Sequence, residues 1–595
     1  MTTNDQNSYT GCWTCRLRRK RCDKCHPVCG GCEALEICCY SDSNRPEWMD
    51  NGTKQRNMTQ RLKDEVKRSA VRRRSNKMMQ RIARNLDGEE EAQTPNTVPQ
   101  PDISLSPVRL ADLPSETGFE PRAADEYLVS PSQGPVHQLT PPTSHRLSQR
   151  VDNEVELTSV MTYLDYIFPA LFPFYTPTLF EGGRSWLLVL PMKIKALYHS
   201  VISLTSYFIS VVPISSDPAF RQCASISWGE QREQTDMTVK MVQHDLQIIN
   251  TQGVHNNILE SVYLLESIVQ LLTFEGIVAT SEDWRIHFDA AVVLFEQLFH
   301  DPTTFLSVLN LMSQVSTFPI KADGNSFWNS GQAAFRFFSA VLLAADVISS
   351  TAFQHHPRLR EYHGHLLSDN PHLGREALLQ LEDFFGCQNW VFVLIGKIAS
   401  LDNWKKEMKK HRMLAMAQLM ERASVIEKEL QKGLLQLNSK FNRKSGKPTR
   451  PLDMLTTPNP FNSDPPSDTN KNVTQIWAYA ACMYLHIVLS GWQTANTEIR
   501  QGVARTIELF SKLPSPGLLR ALAWPLCVAG CLADEDQEST FREIFNSMGP
   551  LGMLGTTQEV MHIMENVWSQ RARIDPDNWD IAACLGILGY SVLLI

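Results

Sequence analysis

The sequence predicts three successive parts: a small metal-stapled module, a disordered linker and a large all-α domain. Three observations predict them. Eight of the 14 cysteines fall within residues 12–39. Ten of the 33 prolines fall within residues 87–150. From residue 152 onward, apolar residues recur at spacings of three and four, and period-two runs are scarce. At 595 residues with 43% hydrophobic content, the chain is too long for one ordinary domain and apolar enough for a large core.

Charge divides the same way. Residues 1–86 carry 19 Lys/Arg against 9 Asp/Glu, so a net of +10 stands against −17 for the rest of a chain whose formal charge is −7. One end is suited to an anionic partner. No basic-then-apolar leader opens the sequence, and an intracellular location is expected. Residues 196–216 lack charge over 21 positions, but their Ser, Thr, His and Pro residues favour a buried helix over a membrane span.

In residues 11–43 the cysteines read C-x2-C-x6-C-x6-C-x2-C-x6-C through Cys12, Cys15, Cys22, Cys29, Cys32 and Cys39, two halves of equal spacing. A C-x2-C pair lets two sulfurs on one turn grip one zinc. Clustered cysteines in a reducing compartment favour metal over disulfides. Six thiolates serve two zinc ions with four ligands each only if two sulfurs are shared. With almost no apolar core, such a module takes its folding energy from metal. Cys25, His26 and Cys38 are alternative donors, and Cys38 in place of Cys39 is the nearest rival. The scattered Cys527 and Cys531 read as buried core thiols.

Between Cys15 and Cys22 lie Arg16, Arg18, Arg19, Lys20 and Arg21, broken only by Leu17. The reading is a short basic helix held at both ends by metal and presented to DNA. Arg can grip guanine O6/N7 bidentately, and Lys and Arg both suit phosphates.

Residues 50–86 read as a basic helix. Its apolar positions step by four from Met58 through Leu62 and Val66 to Ala70 and break at Arg74, which gives a short patch rather than a zipper seam. Lys67, Arg68, Arg72, Arg73 and Arg74 form a candidate nuclear-import signal. Residues 87–150 open on an acidic run and show no periodicity, the composition of a disordered linker. Four Ser/Thr-Pro pairs there, at Thr94, Ser106, Ser130 and Thr140, are candidate phosphorylation sites.

In 151–595, helices are expected at 154–167, 193–212, 254–274, 284–299, 327–353, 374–402, 411–438, 472–493, 497–512, 516–533 and 557–569. A mobile Pro/Ser/Asn-rich loop is expected at about 442–472.

The stretch Cys12-Trp-Thr-Cys15-Arg-Leu-Arg-Arg-Lys-Arg-Cys22-Asp, followed by Pro27-Val-Cys29-Gly-Gly-Cys32-Glu-Ala-Leu and Cys39, closely resembles the fungal C6 zinc cluster, or binuclear cluster, transcription factors. YLDYIFPALFPFY (163–175), FWNSGQAAFRFFSA (327–340) and LAWPLCVAGC (522–531) resemble the fungal-specific transcription factor domain that accompanies it. The resemblance implies two zinc ions bridged by Cys12 and Cys29, and a first helix entering the major groove over a CGG-type triplet. Arg19 stands where the family usually has a base-reading Lys, with Arg18 beside it.

The implied function is a nuclear, sequence-specific regulator of RNA polymerase II genes, serving a pathway or a secondary-metabolite cluster. Its partners are double-stranded DNA, the transcription machinery and a second copy joined through the helical domain, with no membrane. Nothing points to an enzyme. All-sulfur zinc has no open position for water, and His244, His255, His287, His300, His355 and His356 lack catalytic-metal spacing.

Overall fold

The computed structural model describes residues 11–70 with interruptions, and 156–595 apart from 180, 217–220, 279–282, 314–320, 323–324, 327, 370–376 and 440–465. The expected linker, the candidate import residues Lys67, Arg68, Arg72, Arg73 and Arg74, the alternative donors Cys25, His26 and Cys38, and 442–465 of the expected loop lie outside the described residues.

The C-terminal part is helical, and its one described sheet is a two-stranded antiparallel hairpin, Lys321–Ala322 against Asn325–Ser326. Sequence neighbours pair: Lys195–Ser216 packs on Arg221–Gln252, Ile258–Val278 on Asp283–Leu298, and Pro466–Ser490 on Thr497–Phe510. Ser330–Phe353 lies at the centre, touching helices from both ends of the domain. Its start is fixed by a capping box: Asn329 Oδ1 accepts the Gln332 N–H at 2.8 Å, and Gln332 Oε1 accepts the Asn329 N–H at 3.0 Å. Trp524 stacks on Trp477 at 5.6 Å and donates its indole N–H to Thr351 Oγ1 at 3.1 Å, so the aromatic core leaves that polar atom satisfied.

The expected helices appear, with instructive departures. The segment read as 374–402 is broken. A single turn, Glu382–Phe385, ends at Gly386 with φ +70°, and the long helix Asn389–Lys410 starts afterwards. Asn389 holds this junction: its amide donates to the Leu367 and Leu379 carbonyls at 2.8 Å each, and its Oδ1 accepts the Leu381 N–H at 2.7 Å. The 411–438 helix starts later, at Met416, because Arg412 takes a left-handed conformation. The 472–493 helix starts earlier, at Pro466, with Asp468 in a first turn where an anion suits the helix dipole.

Helices not expected from the sequence include Arg221–Gln252, Trp186–Lys193, Thr304–Ser313, Arg360–Leu366, Glu535–Ser547 and Ile581–Leu585. Among its described side chains, Arg221–Gln252 buries a stripe in which the polar Gln231, Thr238 and Gln243 accompany Val242, Leu246 and Ile249.

The uncharged stretch 196–216 is helical as expected, and its described residues through Tyr207 are mostly buried. Among the described residues, three other helices are long and apolar enough to cross a membrane: Ile258–Val278, Ser330–Phe353 and Asp468–Ser490. Their most apolar windows are 83%, 94% and 67% buried within the domain, so other helices already cover most of that surface.

Candidate metal centre and nucleic-acid interface

The cysteine spacing produces two equivalent knuckles. Cys12 caps the five-residue helix Trp13–Leu17, its Sγ accepting the Cys15 N–H at 3.3 Å. Cys29 precedes the single turn Gly30–Glu33, which brings Cys32 back beside it. The third cysteine of each half closes on the first: Cys22 Sγ accepts the Cys12 N–H at 3.4 Å, and Cys39 Sγ accepts the Cys29 N–H at 3.5 Å. The repeat in the sequence is thus a repeat in the structure.

Between the knuckles, Cys12 Sγ lies 3.6 Å from Cys29 Sγ and 3.8 Å from Cys32 Sγ, and Cys15 Sγ lies 3.5 and 3.9 Å from the same two atoms. A tetrahedral zinc site with Zn–S of roughly 2.3 Å has sulfurs about 3.8 Å apart. The observed separations fit that ion. Electrostatics give the same result. Burial pushes the Cys12, Cys15 and Cys32 thiols up. For Cys29, burial is outweighed by hydrogen bonds from the Cys32 N–H and the neighbouring thiols, and its pKa falls to about 6. Four buried sulfurs this close cannot all be anionic without a cation among them.

Sulfur supplies most of the small core. Cys12, Cys15, Cys29, Cys32 and Ile37 are buried, and Leu35 and Val66 pack against them. Met58 and Leu62, two turns and one turn before Val66, are also buried. The short apolar patch of the basic helix is therefore covered, and Val66 serves this core rather than a zipper. Two further residues support the knuckles. Buried Thr14 accepts the Tyr40 N–H at 3.0 Å, while the Trp13 N–H donates to the Tyr40 carbonyl at 2.7 Å. Asp23 accepts the Gly30 N–H at 2.9 Å and lies close to Cys22 and Cys29. Neither was among the expected site residues, although Asp23 directly follows a cysteine and Thr14 lies inside the first C-x2-C.

The basic run departs from expectation. Only Arg16 lies within the helix, and its guanidinium rests 4.6 Å over the Trp13 ring. The helix ends at Leu17 because Arg19 adopts φ +54°. The Arg19 N–H then bonds the Arg16 carbonyl at 3.1 Å and the Lys20 N–H bonds the Cys15 carbonyl at 3.0 Å, a Schellman closure with arginine where glycine is usual. Arg18, Arg19, Lys20 and Arg21 thus leave on a turn rather than along a helix face. Among the described residues none of these four has an ion-pair partner, and Arg19, Lys20 and Arg21 are exposed. Four adjacent cations at a helix C-terminus, on a frame set by sulfur, form a surface able to meet phosphates and base edges.

Of the scattered thiols among the described residues, Cys387, Cys527, Cys531 and Cys584 are buried. Cys527 and Cys531 are buried with sulfurs 4.0 Å apart in the helical core.

A family model described as the fungal specific transcription factor domain matches residues 159–595. The chain is 35% identical to the transcription factor dibT of Pestalotiopsis microspora, over 98% of this chain and 99% of that protein. It is 26% identical to the pestheic acid cluster transcriptional regulator 3 of Pestalotiopsis fici, over the full length of both. It is 27% identical to the trichothecene biosynthesis transcription regulator TRI10 of Trichoderma arundinaceum, over 72% of this chain and 95% of that one. No solved structure matches.

Proposed function

The chain belongs to the fungal specific transcription factor family, and from that premise we propose that it acts in the nucleus as a zinc-dependent, sequence-specific DNA-binding regulator of RNA polymerase II genes. The observation that carries the reading is the conjunction of the clustered cysteines with an exposed basic turn that has no ion-pair partner among the described residues. Cys12, Cys15, Cys22, Cys29, Cys32 and Cys39 would hold two zinc ions, with Cys12 and Cys29 shared. The metal does no chemistry on a substrate. It fixes the frame from which Arg18 and Arg19 read a CGG-type triplet in the major groove while Arg16, Lys20 and Arg21 meet phosphates. Lys67, Arg68, Arg72, Arg73 and Arg74 would direct import, and a second copy would join through the helical domain, where contacts to the transcription machinery would also lie.

A secondary-metabolite gene cluster is the proposed regulatory target. Relatives named for the pestheic acid cluster, trichothecene biosynthesis and the ustiloxin B cluster support it. A second reading of the metal count has its own support. Cys12, Cys15, Cys29 and Cys32 by themselves form a set sized for one zinc, with Cys22 and Cys39 flanking it.

Selection of bound sequences from random duplexes by the full-length, zinc-loaded protein tests the DNA reading. Enrichment of a CGG-containing site is expected. Recovery of duplexes with no common triplet would overturn it.

A further inference from the structure

The helical domain contains a half-open cleft of about 550 Å³ between the helices Arg360–Leu366, Asn389–Lys410 and Met416–Ser439. That volume falls in the range of small-molecule sites. Its rim carries Arg360, Lys397 and Arg422, and no carboxylate is among its described lining residues. Lys397 is already balanced by Glu429 at 2.6 Å, so Arg360 and Arg422 supply the uncompensated charge. Arg422 is held in place, its guanidinium 4.3 Å over the Trp404 ring. Apolar side chains, among them Val393 and Ile426, make up much of the wall.

Among the described residues, one group in the wall is without a partner. His363 is only 7% exposed, lines the cleft, and its Nε2 makes no hydrogen bond. A buried polar nitrogen left unsatisfied costs about 1–3 kcal/mol, and native proteins rarely tolerate one without a purpose. Burial lowers the His363 pKa to about 4, so at neutral pH the ring is uncharged and Nε2 can donate to, or accept from, a group entering the cleft. The backbone comes close here as well. A Cβ on Gly396 would lie 3.1 Å from Pro357 Cγ and 3.7 Å from His363 Cε1, so the absence of a side chain keeps the floor beside the imidazole open.

A neighbouring cleft of about 510 Å³ shares Ser368 and Val393 with the first but has the opposite character, with Asp369, Glu382 and Glu429 in its lining. A ligand spanning both would meet cations at one end and carboxylates at the other.

We propose that the Arg360/Arg422 cleft binds a small organic acid with an apolar body, its carboxylate held by the two guanidinium groups and its apolar body laid on the wall beside His363. The pattern is that of a specific small-molecule site: an apolar body contact, a few convergent polar groups and a charge of one sign. The proposal goes beyond the DNA-binding reading and does not rest on it, because it is tested without DNA.

Gly364 provides the means of testing it. It lines the cleft in the middle of its helix, and a Cβ there meets nothing within 4 Å. A side chain at this position extends into the cleft rather than into the core, and replacing a helical glycine favours the helix. The experiment is isothermal titration of the full-length protein with three acid–alcohol pairs matched in shape: benzoate and benzyl alcohol, 2-naphthoate and 2-naphthalenemethanol, cyclohexanecarboxylate and cyclohexylmethanol. At least one acid is expected to bind once per chain and at least tenfold more tightly than its alcohol. Gly364→Phe is expected to abolish that binding with the thermal midpoint unchanged or raised. The double substitution Arg360→Gln/Arg422→Gln is expected to weaken the acid at least tenfold and leave its alcohol unaffected. The proposal is overturned if no acid outbinds its alcohol, or if acid binding survives Gly364→Phe at full affinity.

Discussion

The Lys20 N–H donates to the Cys15 carbonyl at 3.0 Å, and this bond folds the chain over a left-handed Arg19 at the end of the first helix. The residue proposed to read the base is therefore also the one that carries the backbone strain of the turn. Glycine would occupy that conformation at no steric cost, whereas any other residue pays about 1 kcal/mol there.

Two substitutions separate these roles. Arg19→Gly and Arg19→Ala both remove the guanidinium and should each lose about 1–3 kcal/mol of binding on the preferred site, with less effect on random duplexes. Arg19→Gly should make the module about 1 kcal/mol more stable than the wild type, whereas Arg19→Ala, which keeps the left-handed penalty that Arg already bears, should leave its stability about unchanged. Measured by duplex titration and thermal unfolding, equal losses on specific and random DNA would remove Arg19 from base reading.

The metal count has a direct readout in native mass spectrometry. Two shared-sulfur zinc ions require all six spaced cysteines, so Cys22→Ser or Cys39→Ser should lower bound zinc below two per chain. Cys25→Ser and Cys38→Ser should leave two bound. If wild type and Cys39→Ser both hold one zinc, the four-sulfur set of Cys12, Cys15, Cys29 and Cys32 is the whole site.

Asp346 makes the helical domain sensitive to pH. It accepts the Arg358 N–H at 2.9 Å and the Leu359 N–H at 2.8 Å, yet burial outweighs both bonds and holds its pKa up at about 7. A carboxyl whose folded pKa exceeds its unfolded one binds its proton more tightly when folded. Its contribution is full below about pH 4 and is lost as pH rises through about 7. Asp346→Asn cannot titrate, and its amide meets one of the two N–H groups as a second donor, so it should be less stable at every pH. Between pH 5 and pH 8, however, the wild type should lose at least about 1 kcal/mol relative to the variant. Urea midpoints that run parallel for the two proteins would refute this.

Gly555 opens its helix where the backbone crosses Ile277, and an added Cβ would collide with the Ile277 carbonyl, a rigid backbone group. Gly555→Ala is expected to cost about 1–3 kcal/mol by overpacking. An unchanged unfolding midpoint would show that the crossing can spread freely.

The legible parts of this chain are those where chemistry demands a spacing. The x2 and x6 intervals point to six sulfurs; the structure gathers Cys12, Cys15, Cys29 and Cys32 in one set and places Cys22 and Cys39 against the Cys12 and Cys29 backbone. The three-and-four periodicity of Ser330–Phe353 reflects a helix buried nearly all round. Arg221–Gln252 was missed because it has one covered face, so its apolar residues are too sparse to show a period. Glu535–Ser547 has only Phe541, Ile544 and Phe545 as large apolar residues, too few to show a period, although Asp534 and Gln537 form the capping box that starts it. The turn at Arg19 could not be read, since arginine is a poor marker of a left-handed conformation. The cleft at His363 gathers residues from 357 to 426, and only tertiary packing brings them together.

The central claim is that zinc holds the basic turn in a DNA-reading geometry. The most direct measurement titrates the full-length protein onto a CGG-containing duplex and a scrambled duplex before chelation, after chelation and after zinc is restored. The account predicts that chelation reduces the CGG affinity to that of the scrambled duplex and that zinc restores the difference. Affinity and base preference that persist in the zinc-free protein would contradict it.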